Sequence, residues 1–161
     1  MRIITSGFRY ADIDAYAGCV AYAELLQKQG VDAQAVSTAP LNESICKTIR
    51  SWQAPIQNAY TPSDDDTYTL IDISEPEYFE KIVAHDRIDE IIDHHPGFES
   101  YWQEKIGDKS QIEFIGAACT LVYERWRDAG LLREMSMTSA RLLVSGILDN
   151  TLNFGAKITT Q

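Results

Sequence analysis

The stretch IDEIIDHHPG, residues 88–97, decides how this chain is read. Ile88, Ile91 and Ile92 form a short apolar run of the kind that fills a buried strand. The run closes on Asp93-His94-His95, and Pro96-Gly97 then breaks the chain. Only three histidines occur in all 161 residues, and two of them stand side by side here. A strand apolar on both faces belongs in a parallel sheet covered on both sides. Polar residues just beyond its carboxyl end then lie where such sheets bind ligands.

The same rhythm extends outward. RIITS (2–6), DAQAVS (32–37), YTLIDI (68–73) and QIEFI (111–115) read as strands alongside IDEIID (88–93). Between them, DAYAGCVAYAELLQKQG (14–30) places Ala15, Cys19, Tyr22 or Ala23, and Leu26 at helical spacing, with Gly30 as a stop. NESICKTIRSW (42–52) reads as a helix capped by Asn42, with Ile45 and Ile49 on one face. EPEYFEKIVAH (75–85) reads as a short helix with Pro76 in its first turn. ACTLVYERWRDAG (118–130) is a helix stopped at Gly130, and MTSARLLVSGILDN (137–150) is one capped by Thr138. TPSDDDT (61–67) is a turn cluster whose acids form a solvated loop. The alternation predicts an α/β fold: a five-stranded parallel sheet with helices on both faces, in one domain spanning residues 1–161.

Composition narrows the function classes. The net charge of −10 repels a phosphate backbone, so binding to long nucleic acid is disfavoured. Acids gathered in one place have another use, because they bind cations and a cation then binds phosphate. No apolar run approaches the roughly 20 residues of a membrane span. The start, MRIITSGF, lacks the apolar core and cleavage site of a signal peptide, so the expected location is cytoplasmic. Cys19, Cys46 and Cys119 fit no zinc-binding spacing and read as small buried hydrophobes in a reducing compartment.

The acids fall where the sheet rule puts functional groups. Asp12 and Asp14 follow the first strand, Asp72 closes TLID, and Asp93, His94 and His95 close IIDHH. Asp149, in GILDNT, ends an apolar helix, where a carboxylate is unfavourable beside the negative end of the helix dipole unless a cation compensates. Carboxylates with neutral imidazole suit Mn²⁺ and similar ions. Of the adjacent histidines, one can hold metal while the other orients a ligand or holds substrate. Taken singly, Asp12, Asp14 and Asp72 read equally well as helix caps, and Asp149 as an exposed surface residue. His85 stands apart from these residues and reads as an ordinary surface group.

Together, D-x-D-A after the first strand, an aspartate after a later strand, D-H-H and a late G-I-L-D-N-T resemble the DHH phosphoesterase superfamily, across nearly the whole chain. The superfamily includes manganese-dependent family II inorganic pyrophosphatases, exopolyphosphatases and phosphodiesterases. The resemblance implies a five-stranded α/β domain carrying two Mn²⁺ ions, with Mg²⁺ or Co²⁺ as alternatives. Asp12 would ligate one metal. Asp14, His94 and Asp149 would ligate the other, and Asp72 would bridge them. His95 would face the substrate, and Asp93 would orient the histidine pair. The implied activity is hydrolysis of a phosphoanhydride or phosphodiester bond in a small phosphate compound such as pyrophosphate, polyphosphate or a nucleotide. A homodimer is compatible with it.

Two departures qualify the resemblance. The family pattern has a histidine four residues before the first aspartate, where this chain has Phe8 in GFRYADID. The second domain that supplies basic residues in such enzymes is also absent from this sequence. That leaves Arg9, Lys157 and the start of the helix after Gly116 as phosphate contacts. The alternative expectation is a weakly active or inactive domain that binds a single metal or a phosphate ligand.

Overall fold

The computed structural model describes residues 1–159. Six strands, one more than expected, form a single parallel sheet in the order β3-β2-β1-β4-β5-β6. They are β1 (Arg2–Thr5), β2 (Ala33–Val36), β3 (Ile56–Gln57), β4 (Thr67–Ile71), β5 (Ile88–Asp93) and β6 (Ser110–Ile112). The unforeseen strand, β3, is two residues at the sheet edge, too short to show any periodicity. Three helices lie between strands, α1 (Ile13–Lys28), α2 (Lys47–Ser51) and α3 (Glu99–Ile106), and two follow β6, α4 (Ala118–Asp128) and α5 (Met137–Asn150). None among the described residues is long and apolar enough to cross a membrane.

Adjacent isoleucines and leucines divide between the two faces of the sheet. Ile4, Ile71 and Ile92 pack into one core with α1, α4 and α5. Ile3, Leu70 and Ile91 pack into the other with Phe79, Val83 and Trp102. All six are fully buried, and each contributes about 1.5–3 kcal/mol. Helix α1 is buried along most of its length, from Ile13 to Leu25. Gly18 permits this, because a Cβ there would lie 2.5 Å from Ile71 Cγ2.

Two expected helices differ. Residues 75–85 do not form one; single 3₁₀ turns at Pro76–Tyr78 and His85–Arg87 flank an isolated bridge at Phe79 and a turn closed by Val83 N–H donating to Glu80 O. The backbone there hydrogen-bonds outward, with Phe8 N–H donating to Tyr78 O (2.8 Å) and Glu80 N–H to Ser6 O (3.2 Å). The buried Glu80 carboxylate accepts from Thr38 N–H at 2.8 Å. Helix α2 begins at Lys47 rather than Asn42, because Asn42 turns its side chain to accept from Ser44 N–H (2.9 Å) and donates its own N–H to Ala11 O. Ser136, not Thr138, caps α5. Cys19 and Cys119 are buried, whereas Cys46 is exposed at the start of α2.

Strand order turns at β1, whose neighbours are β2 and β4, and ligands of such sheets sit at that turning point. Ile71 pairs with Ile92 in register. Asp72 and Asp93, the next residues of their chains, are therefore neighbours at the carboxyl edge, facing the loop that leads from β1 into α1.

Candidate metal centre

Asp12 is the N-cap of α1 and accepts from Ala15 N–H at 3.0 Å. Asp14, two residues into the helix, caps a different one. Its Oδ1 accepts from Cys119 N–H (2.8 Å) and its Oδ2 from Ala118 N–H (2.8 Å), the first amides of α4. The α4 cap position is Ala117, which has no side-chain acceptor of its own. The start of α4 therefore holds Asp14, and those amides are not free for a phosphate. Asp14 is fully buried, and burial raises its carboxyl above the usual carboxylate range even with these hydrogen bonds.

Asp72 stands at φ 61°, a left-handed conformation uncommon outside glycine. The turn directs its carboxylate inward. Asp72 Oδ1 is buried without a hydrogen bond, 3.2 Å from His94 Nε2. Burial, with the nearby Asp14 charge, pushes Asp72 well above the ordinary range.

His94 is oriented from behind. Its Nδ1 lies 2.8 Å from Ile115 O, and a carbonyl can only accept, so Nδ1 carries a hydrogen. In the neutral ring Nε2 then has the lone pair. That nitrogen faces Asp72 Oδ1 and lies 3.7 Å from Asp14 Oδ2. Burial lowers the imidazole pKa, but the Asp72 carboxylate, the Ile115 carbonyl and Asp14 outweigh it and raise it to about 9.

Asp93 is fully buried and gathers the histidine pair. Its Oδ1 accepts from His94 N–H (2.8 Å) and His95 N–H (3.2 Å) and contacts His95 Nδ1 (2.8 Å). The hydrogen bond to Asp93 raises the His95 pKa. The ring, 59% exposed, keeps Nε2 for whatever enters. Ligand atoms of Asp72, His94 and His95 lie within 4.8 Å of one another. Because His95 Nδ1 is engaged by Asp93, the atoms left facing each other are Asp72 Oδ1 and His94 Nε2, with Asp14 Oδ2 beside them, 3.7 Å from His94 Nε2.

The structure does not bring Asp149 to this set. Asp149 is exposed and lines a separate shallow hollow with Ser44 and Ile49. Its neighbour Asn150 reaches the centre instead, donating from Nδ2 to Asp14 Oδ2 at 2.6 Å and lying 3.4 Å from His94 Nε2. The close approach comes from Gly146, where a Cβ would meet Cys119 Sγ at 2.5 Å and Asp14 Cα at 3.4 Å. Asn150 is one turn further along the same face. The signal was present in the sequence: Leu142, Gly146 and Asn150 share a stripe, and Arg141, Ser145 and Asp149 share the neighbouring one. With Ala118 N–H and Asn150 Nδ2 both bonded to it, Asp14 Oδ2 has its two lone-pair positions filled.

An open cleft of about 310 Å³ adjoins the centre, lined among others by Arg9, Asp12, Asp72, Asp93 and His95. Lys157 is exposed beyond α5 and does not line it. Phe8 is 39% exposed, with its ring 6.3 Å from that of Tyr78.

The chain as a whole is similar to known proteins. Over 159 residues the chain is 29% identical to a Deinococcus radiodurans protein named "Probable manganese-dependent inorganic pyrophosphatase", covering 93% of this chain and 47% of that one. A Bacillus licheniformis protein of the same name is 22% identical over 162 residues, covering 99% and 51%. The chain thus spans about half the length of the curated relatives it matches. The fold matches the crystal structure of an exopolyphosphatase-related protein from Bacteroides fragilis with a TM-score of 0.74 at 16% identity, covering 99% of this chain and 48% of that one. Residues 2–147, the span from β1 to the last turns of α5 that holds every group of the centre except Asn150, match the DHH family, N-terminal domain, and the chain belongs to that family.

Proposed function

We propose that this chain is the metal-binding domain of a metal-dependent phosphohydrolase that cleaves a phosphoanhydride or phosphodiester bond in a small phosphate compound. The observation that carries this reading is the pairing of the buried, unbonded Asp72 Oδ1 with His94 Nε2, whose ring is fixed from behind by Ile115 O. Carboxylate oxygen with imidazole nitrogen suits Mn²⁺, with Mg²⁺ or Co²⁺ as alternatives, and the relatives named as manganese-dependent support the first choice. Asp14, Asp72 and His94 would hold an inner ion, and Asp12 with Asp72 one nearer the cleft. A bound ion supplies phosphoryl polarisation and a water acidified for attack. The chain's own groups do the remaining work. Asp72 would serve both positions, Asp93 accepts from His95 Nδ1–H and aims the ring so that the protonated imidazole donates from Nε2 to a phosphate oxygen, and Arg9 offers a guanidinium to the same group.

A weakly active or inactive single-metal domain is the second reading, and two observations favour it. Asn150 occupies Asp14 Oδ2 and brings no charge. Phe8, where the family pattern has histidine, has no lone pair to offer. The deciding experiment measures Mn²⁺ bound per chain and turnover of pyrophosphate, tripolyphosphate, bis-p-nitrophenyl phosphate and a dinucleotide, in wild type and His94→Ala. Bound Mn²⁺ with turnover that His94→Ala abolishes is the expected result. One ion without turnover selects the second reading. Mn²⁺ bound equally by His94→Ala overturns the ligand assignment itself.

A further inference from the structure

Asp72 owes its inward direction to a left-handed backbone, φ 61°, one residue past the end of β4. Such a conformation persists only where its surroundings fix it. The sheet fixes one side: Asp72 N–H donates to Ile92 O at 2.9 Å. The other side lies beyond the sheet. There Ser74 O accepts from the indole N–H of Trp102 at 2.7 Å. Among the described residues no other hydrogen bond reaches the backbone of Ile73 or Ser74. Trp102 is 1% exposed and Ser74 3%, so water does not compete for this bond. A buried indole has one N–H and must aim it at an acceptor. The ring itself is held in place, with centroids 5.8 Å from Phe79 and 4.9 Å, edge-on, from Tyr101. Helix α3, which carries Trp102, begins just past the turn that presents His94 and His95. One side chain thus ties the exit of the histidine pair to the turn of Asp72.

We propose that Trp102 is a positioning residue for the metal centre: its N–H on Ser74 O holds the Asp72 turn and so keeps Asp72 Oδ1 aimed at His94 Nε2. Trp102 touches neither metal nor substrate and acts through Asp72 alone. A relaxed turn would let the carboxylate swing away from the imidazole, and a ligand that must be re-aimed binds more weakly. The proposal rests on the reading of Asp72 as a metal ligand and goes beyond it in assigning what orients that ligand.

The test compares two buried tryptophans that make the same kind of bond in different places. Trp126 is fully buried and donates its indole N–H to Ala21 O of α1 at 3.0 Å. Trp102→Phe and Trp126→Phe each remove one such N–H and leave a similar void, so both should unfold at lower urea concentration than wild type. Mn²⁺ is titrated calorimetrically into each chain at a temperature where circular dichroism shows it folded. Loss of a bond that orients a ligand sets the expectation that Trp102→Phe binds Mn²⁺ about tenfold more weakly. Trp126→Phe should match wild type. If Trp102→Phe does not fold, benzothienylalanine in place of Trp102 keeps both rings, exchanges the N–H for sulfur, and should show the same loss. Unchanged Mn²⁺ affinity in the Trp102 variant, or equal weakening in Trp126→Phe, overturns the proposal and makes Trp102 a core residue only. Both of those outcomes leave the metal reading intact, whereas a wild type that binds no Mn²⁺ overturns the two together.

Discussion

Helix α1 carries two acids that perform the same local task at opposite ends. Asp14 caps α4 through the amides of Ala118 and Cys119. Glu24 supports the start of α5, accepting from the N–H and Oγ–H of its cap residue Ser136 at 2.8 Å each and from the Ser139 hydroxyl. Both satisfy helix-start amides and place negative charge at a positive dipole end. Their surroundings differ. Glu24 is half-buried among serine hydroxyls. Asp14 is fully buried and shares its space with Asp72 and His94. A cap becomes a candidate ligand when a second acid and an imidazole converge on it, so residue type alone does not separate the two roles.

Removing each acid tests that distinction. Asp14→Ala strands two buried amides at about 1–3 kcal/mol each, so a loss of about 3 kcal/mol is expected in urea unfolding. Glu24→Ala should cost about 1 kcal/mol, the usual value of a lost cap. Manganese separates them further. An ion that binds only the native state adds about 2.7 kcal/mol at a hundred times its Kd. Glu24→Ala should keep that increment in full, and Asp14→Ala should lose it. An increment retained in Asp14→Ala would show that Asp14 is a cap and nothing more.

Asn150→Asp sharpens the same contrast by adding charge beside Asp14. Without metal, a new carboxylate beside Asp14 and Asp72 should lower stability by about 1 kcal/mol or more. With Mn²⁺ the sign should reverse. Asn150 no longer donates to Asp14 Oδ2, and a change in a ligand's hydrogen-bond partner is commonly worth about 10–100-fold in metal affinity. Manganese titration followed by thermal unfolding reads both effects. A variant less stable at every Mn²⁺ concentration would place Asn150 outside the metal-binding role.

What the sequence could disclose followed from the range of the signal. Strand β5 was legible because Ile88, Ile91 and Ile92 end on Asp93 within one short run, and the strand is found at Ile88–Asp93. Helix α1 was legible at nearly its observed length because small and apolar residues continue through it. Residues 75–85 carried helical spacing, but their backbone is claimed by the loop after β1, a contact no local pattern encodes. Helix α3 went unread because it is anchored mainly by Trp102, buried with its indole N–H on Ser74 O at 2.7 Å. At the centre, the convergence of Asp14, Asp72 and His94 was readable from the strand ends. Asp149 carries the charge expected of a ligand, but Gly146 marks the helix face that meets α1, and Asn150 rather than Asp149 lies on it.

The smallest expected effect comes from the opposite edge of the sheet, where Asp89 opens β5 as Asp93 closes it. Asp89 pairs with Arg2 and with Lys109 Nζ at 2.6 Å. Partial burial alone would raise its carboxyl, but Lys109 and Arg2 outweigh that and hold it below the usual range, opposite in direction to Asp14 and Asp72. A carboxyl lowered in the folded state stabilises fully above its unfolded pKa of about 3.9, and that contribution disappears as pH falls through the lower folded value. The pair is near the surface and screened, so about 0.5 kcal/mol is expected. Asp89→Asn should therefore trail wild type by that amount at pH 7, and the gap should close as pH falls through the lowered folded value of the carboxyl. Mn²⁺ binding should be the same in both proteins, since the pair lies at the edge of the sheet away from the metal centre. A gap that persists at low pH would mean that Asp89 acts through packing, and a changed Mn²⁺ affinity would mean that the two edges of β5 are coupled.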